Sequence, residues 1–202
     1  MRLWTIVLTG LLVLTACSDN TGREGSILPA DLQLQEGDVV FRRGGGFTSH
    51  AVLMADRGGI YSHVGIVADS AGQLMVVHAV PGEPDYEGDE DRVKMDCPAD
   101  FFAKTRASRG AVYRPTDSQA ARQAARQAMA TYRRRALFDH DYDDSDTTAM
   151  YCTELVVHAY STSRRPLRGL TRHHLHLVGF EADCVLPSDL VHCKNFKEIT
   201  TF

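Results

Sequence analysis

Two β-type runs lie back to back near the middle of the chain and constrain it more than any other feature. Residues 61–68 read Tyr-Ser-His-Val-Gly-Ile-Val-Ala and residues 73–80 read Gln-Leu-Met-Val-Val-His-Ala-Val. Between them stand Asp69, Ser70, Ala71 and Gly72, residue types of a tight turn. Branched and apolar runs around such a turn specify a β-hairpin. A lone hairpin is marginal in water, so further strands or helices must cover it. Residues 37–42 and 110–114 read as two such strands. Residues 117–135 are alanine-rich, with Asp117 or Ser118 as cap and Arg133, Arg134 and Arg135 at the C-terminal end, and read as the clearest helix. Residues 152–161 form a second, with Leu155, Val156, Ala159 and Tyr160 on one face. Short helices are expected at 49–55 and 99–106, and short β-like pieces in the tail end near Phe196. These elements give the α+β class, a small antiparallel β-sheet packed on helices.

The chain of 202 residues carries 22 Lys+Arg against 26 Asp+Glu and is 44% hydrophobic, which fits one folded domain and excludes disordered, collagenous and multi-span classes. Its mild acidity excludes bulk nucleic-acid binding, which needs a basic face. Gly44-Gly45-Gly46 lacks the Lys-Ser/Thr pair of a phosphate loop and reads as a flexible loop. Residues 81–91 read as an exposed acidic loop. In the acidic stretch from Asp139, the positions where a calcium loop needs Gly and Glu hold Asp144 and Met150. His173, His174 and His176 lack a partner at ligand spacing and read as a surface loop, so neither metal nor cofactor is expected.

Residues 4–16 are apolar, follow Arg2 and end in Leu14-Thr15-Ala16-Cys17. The run is too short to span a bilayer, which takes ~20 residues, and is about the length of a signal peptide. Its end resembles the lipobox of bacterial lipoproteins, in which the chain is cut before the Cys and the thiol is lipidated. The alternatives are an ordinary signal peptide or a short buried helix. The lipobox reading divides the chain into a signal peptide (1–16), a lipidated Cys17 with a polar tether (17–31) and one folded domain (32–202). It implies a membrane-anchored envelope protein. Ser18 resembles the signal for the outer membrane, facing the periplasm.

Cys152 stands at the start of the second helix, where peptide dipoles and free N–H groups are expected to favour thiolate and to hold an oxyanion. A small buried Cys is the bland alternative. A thiol nucleophile needs an imidazole and a polar group to orient it. If residues 69–72 form the turn, Ala68 faces Gln73 and His63 faces His78 on one side of the sheet. One histidine is then the base and the other orients it. Two half-exposed strand histidines are the alternative.

The strings Gly37-Asp38-Val39-Val40-Phe41-Arg42, Tyr61-Ser62-His63-Val64-Gly65-Ile66-Val67 and Tyr151-Cys152-Thr153-Glu154-Leu155-Val156, in that order, resemble the YiiX/YebB-like branch of the NlpC superfamily, over roughly residues 34–165. These are papain-like cysteine hydrolases with circularly permuted topology. The resemblance implies Cys152 as nucleophile, His63 as base and His78 as third residue, where many members carry Glu and the related lecithin–retinol acyltransferases carry His. Glu at 78 is therefore expected to substitute partly, and Glu83 and Asp38 are the next candidates for the third place. Phe138 stands where members often have Tyr, which leaves no side-chain oxyanion donor. The implied function is a lipid-anchored envelope hydrolase that cleaves an amide or ester through a thioester on Cys152, with a peptidoglycan peptide or an acyl lipid as substrate. An acyltransferase and a non-catalytic envelope lipoprotein that binds peptidoglycan or lipid are the alternatives. Among the other thiols (Cys97, Cys184, Cys193), a Cys184–Cys193 disulfide is compatible with the spacing. Oligomeric state is left open.

Overall fold

The structure, a computed structural model, describes residues 25–143, 145–177 and 180–202. The expected signal peptide, the Cys17 lipidation site and the first part of the tether lie outside the described residues. Residues 25–31, read as the end of the tether, belong to the folded unit. The Ile27 N–H donates to Phe102 O (2.9 Å) and Ser26 bridges Ala103. Ile27 and Leu28 pack on the core because apolar side chains break the polar stretch there.

The hairpin forms from β2 (His63–Ser70) and β3 (Gln73–Val80). With β1 (Val39–Arg43), β4 (Arg92–Asp96), β5 (Arg109–Pro115), β6 (Leu137–Phe138), β7 (Ala149–Met150) and β10 (Phe196–Thr201) it makes one eight-stranded sheet, larger than expected. Its order is β10-β5-β1-β2-β3-β4-β6-β7, antiparallel except for β6–β7. The helices are α1 (Phe47–Ala55), α2 (Pro98–Phe101), α3 (Ser118–Arg133), α4 (Cys152–Ser161) and α5 (Pro187–Val191). In α3 the Asp117 carboxylate caps the N-terminus by accepting from the N–H groups of Gln119 and Ala120 at 3.0 Å.

Alternation along the strands divides the core. Val39, Phe41, Val64, Ile66, Val77 and Ala79 pack with the alanines of α3 and with Leu155 and Val156 of α4. Val40, Val67, Val76 and Val112 pack with Phe101 and Phe102. The small side chains of α3 let it lie close to the backbone: a Cβ on Gly37, at φ +88°, would sit 2.5 Å from the Ala121 Cβ.

Three readings change. The hairpin turn is two residues, not four. Ala71 and Gly72 both have positive φ (56° and 87°), the conformation that matches strand twist, and Asp69 and Ser70 continue the strand. Strand β4 was not expected. It reads Arg-Val-Lys-Met-Asp, which looks solvated, yet Arg92, Lys94 and Asp96 are buried. The tail holds a separate hairpin of β8 (His173–Leu177) and β9 (Phe180–Cys184), so the histidines taken for a loop lie on a strand. His173 pairs with Asp189 (3.0 Å) and His174 with Asp183 (2.9 Å). Cys184 and Cys193 are free thiols.

Candidate active site

The register correction bears directly on the two histidines. The ladder runs from Ser70–Gln73 to Ile66–Val77, so its continuation sets His78 opposite Gly65 and not opposite His63. The slip is two residues, which keeps His63 and His78 on one face. Gly65 then closes the diagonal. It has no side chain, and a Cβ there would lie 3.1 Å from the His78 Cβ and 2.6 Å from Val76 Cγ1. The two rings meet with His63 Nε2 2.8 Å from His78 Nδ1. Both rest on Phe101, at centroid distances of 5.7 and 5.1 Å.

Strand β4 extends the line. Asp96 sits opposite Val76, on the same face as His78 and two residues along. Its Oδ2 lies 3.1 Å from His78 Nε2, somewhat off the N–H direction. Burial works against the Asp96 charge, but His78, Lys94 (3.3 Å) and Arg106 (2.9 Å) outweigh it and hold the carboxyl well below the usual range. The sequence gives no sign of Asp96, because a buried charge on an alternating strand looks like a solvated one. The two fallback third residues are engaged otherwise: Glu83, whose charge reaches His78, is paired with Arg42, and Asp38 with Arg114 at 2.8 Å.

Cys152 opens α4, and its sulfur meets β2 at the residue after His63. The Val64 N–H, beyond the last β2–β3 rung, points to the thiol together with the N–H groups of Cys152 and Thr153. The expected thiolate does not follow. Burial outweighs the three N–H groups and pushes the Cys152 thiol up to about 11. His63 moves the other way, well below 6.5, from burial first and then from Arg42 and His78. His78 is also lowered, by burial, with Asp96 opposing. At neutral pH the site therefore holds a neutral thiol and two neutral imidazoles.

A cavity of ≈ 290 Å³ opens at Cys152. Ala51, Val52 and Ala55 of α1 form one wall, and Leu175, Val185 and Leu186 another. Tyr142 stands in the same lining, and burial, then Cys152 and Cys184, push its hydroxyl up to about 12. Thr153 ties the start of α4 to the second wall by donating to Val185 O at 2.6 Å.

Of the residues singled out from the sequence, His63 and His78 are in contact and Cys152 meets Val64, the residue after His63, whereas Cys17 lies outside the described residues. A family model described as permuted papain-like amidase enzyme, YaeF/YiiX, matches residues 33–200. Among solved structures, the crystal structure of a protein described as metalloprotein YiiX from Escherichia coli O157:H7 is similar at a TM-score of 0.66 and 16% identity. That match covers 85% of this chain and 99% of the other, and at such identity it carries the fold alone. No curated protein matches the chain. Among the described residues no group of three His, Cys, Asp or Glu side chains gathers as a metal-ligand set.

Proposed function

The chain belongs to the permuted papain-like amidases of the YaeF/YiiX family, and on that premise we propose that it is a cysteine hydrolase in which Cys152 attacks an amide or ester carbonyl. In this reading His63 is the base, and His78 and Asp96 are positioning residues. The observation that carries it is the polar line His63–His78–Asp96, which begins one residue before Val64, whose N–H meets the thiol.

That line fixes the protons. Ionised Asp96 only accepts, so His78 carries its hydrogen on Nε2. Neutral His78 then offers a lone pair at Nδ1, and His63 must donate to it from Nε2. The lone pair of His63 is left on Nδ1, ready to take the thiol proton. As the S–C bond forms, the proton passes from sulfur to His63 Nδ1. It is then delivered to the departing nitrogen or oxygen as the C–N or C–O bond breaks. Water, losing a proton to His63, cleaves the thioester and frees the acid and the thiol. The N–H groups of Val64, Cys152 and Thr153 are the donors nearest an oxyanion on an acyl carbon bonded to sulfur.

The raised thiol favours a second reading, a non-catalytic envelope protein that binds its ligand in the same cleft. Rapid quench of the full chain in detergent micelles with an activated acyl ester, followed by peptide mass analysis, distinguishes the two. The hydrolase carries an acyl adduct on Cys152 that vanishes with time and never forms in His63→Ala. A protein without such an adduct is the binder.

The proposal includes a place. Leu14-Thr15-Ala16-Cys17-Ser18 supports lipid anchoring through Cys17 at the outer membrane, facing the periplasm. Cys17→Ser is expected to accumulate a precursor that retains residues 1–16, and equal masses for the two proteins would contradict it.

A further inference from the structure

We propose that Arg42 is a positioning residue for the same reaction: a buried, permanent cation one strand from His63 that keeps this imidazole unprotonated until the thiol proton reaches it. This rests on His63 being the base, and it adds what holds the base in its neutral form.

The first observation is the rung. Arg42 of β1 stands directly opposite His63 of β2. Directly opposed residues send their side chains to the same face of a sheet, with Cβ atoms about 5 Å apart. Both side chains then meet one ring. The Arg42 guanidinium carbon lies 4.7 Å from the centre of Phe101, and the His63 ring centre lies 5.7 Å from it.

The second is how the cation is held. The Arg42 side chain is 3% exposed. Its Nη1 donates to Phe101 O at 2.9 Å and its Nη2 donates to Glu83, so it cannot swing from His63 into water. Burial pulls the guanidinium down from its usual range, and Glu83 opposes that. A guanidinium keeps its charge in such a place, where a buried amine readily loses it. A buried ion pair adds little net stability over an apolar side chain of the same volume. The charge at this core position is therefore explained by its neighbour rather than by the fold.

The third is the balance of charge around His63. Arg42 faces it from β1, His78 from β3, and Cys152 of α4 meets the next residue, Val64. Among the described residues no carboxylate pairs with His63. Asp96 of β4 lies beyond His78 and is shared with Lys94 and Arg106, and Glu83 is taken by Arg42 and Arg106. Burial is the larger cause of the low His63 value, and Arg42 comes next. Burial weakens when water or a polar substrate enters the cleft, whereas the clamped cation stays.

Two substitutions break the Arg42–Glu83 pair, but only one removes the cation, and this separates charge from packing. Arg42→Met and Glu83→Gln are compared with the wild type, as full chains in detergent micelles, by nitrogen-15 NMR of His63 across pH. Arg42→Met is expected to raise the His63 titration point by about one unit or more, and Glu83→Gln is expected not to raise it. The double variant Arg42→Met/Glu83→Gln leaves no unpaired carboxylate. It is expected to keep the raised value, and it decides the matter if Arg42→Met alone does not fold. With a nitrophenyl ester, the loss of kcat in Arg42→Met is expected to be about tenfold greater at pH 5.5 than at pH 8. A rise in both single variants means that packing and not charge protects His63, and overturns the proposal. An unmoved His63 in the Arg42→Met proteins overturns it too. A raised His63 titration confined to the proteins without Arg42, in a chain that turns over no ester, supports the role of the cation and overturns the hydrolase reading.

Discussion

The surroundings of the two histidines and of Cys152, the proposed catalytic groups, are built from opposite materials. Behind His63 and His78 the sheet buries Arg42, Lys94 and Asp96 and threads them to Glu83, Asp85 and Arg106. In front of Cys152 the walls carry no Lys, Arg, Asp or Glu among the described residues; alanine, valine, leucine and proline stand there with Thr48, His140, Tyr142 and Tyr151. Buried charges are costly unless each is paired, and once paired they hold one another in fixed geometry. That is useful where a proton must sit on a particular nitrogen. The apolar side holds no such geometry and discriminates by shape and desolvation. In the proposed mechanism the polar side sets how the bond is broken, and the apolar side sets what is brought to it.

The comparison breaks most visibly at the boundary. Cys152→Ala is expected to lower kcat by about a thousandfold or more with no loss of thermal stability. An effect confined to KM would make Cys152 part of the wall.

Next comes His78. Its alanine variant should lose about a hundredfold in kcat, with Gln retaining more because an amide can accept from His63 and donate to Asp96. Glu, which the family resemblance favours at this position, should be the least stable of the three. It sets a second carboxylate 3 Å-scale from Asp96 in a buried site. Thermal melts and single-turnover rates on the same preparations check both halves. Equal activity for Ala and Gln would remove His78 from the line.

Asp96→Asn is expected to cost about ten- to a hundredfold in kcat with KM unchanged. A KM effect of that size would mean that Asp96 shapes the substrate site instead. At the apolar end, Phe47→Ser should change stability by no more than about 0.5 kcal/mol, because the ring is solvated in the free protein.

Much of this contrast follows from what a sequence displays. The hairpin, the capped α3 and the limits of α4 were legible because periodicity and caps act locally. Contact between His63 and His78 was legible too, although their register was not. Asp69 and Ser70 are turn-type residues that the β2–β3 pairing keeps in the strand. Strand β4 and Asp96 were illegible for a common reason: alternation marks a polar face, but it does not say whether water or other charges cover that face. The thiolate expected at the helix start failed because the dipole is local and burial is not. The second cavity wall comes from Leu175 and residues 184–187, which only tertiary packing brings to α1.

The buried imidazoles also leave a mark on stability. Their folded values lie below 6.5, so the unfolded chain binds more protons as the pH falls below that value. Stability is therefore expected to be full above pH 6.5 and to decline below it, with a shallower slope in His78→Gln. For the same reason turnover should hold on the acid side to below pH 6.5 and fade on the alkaline side as the thiol ionises near about 11.

The central claim is a neutral Cys152 thiol and a neutral His63 whose proton sits on Nε2. Nitrogen-15 NMR of the histidine rings at about pH 7 reads this directly. The account predicts a protonated Nε2 and a bare Nδ1 at His63, with His78 also carrying its hydrogen on Nε2 and donating to Asp96. A His63 imidazolium beside a Cys152 thiolate, or a His63 protonated on Nδ1 alone, would contradict it.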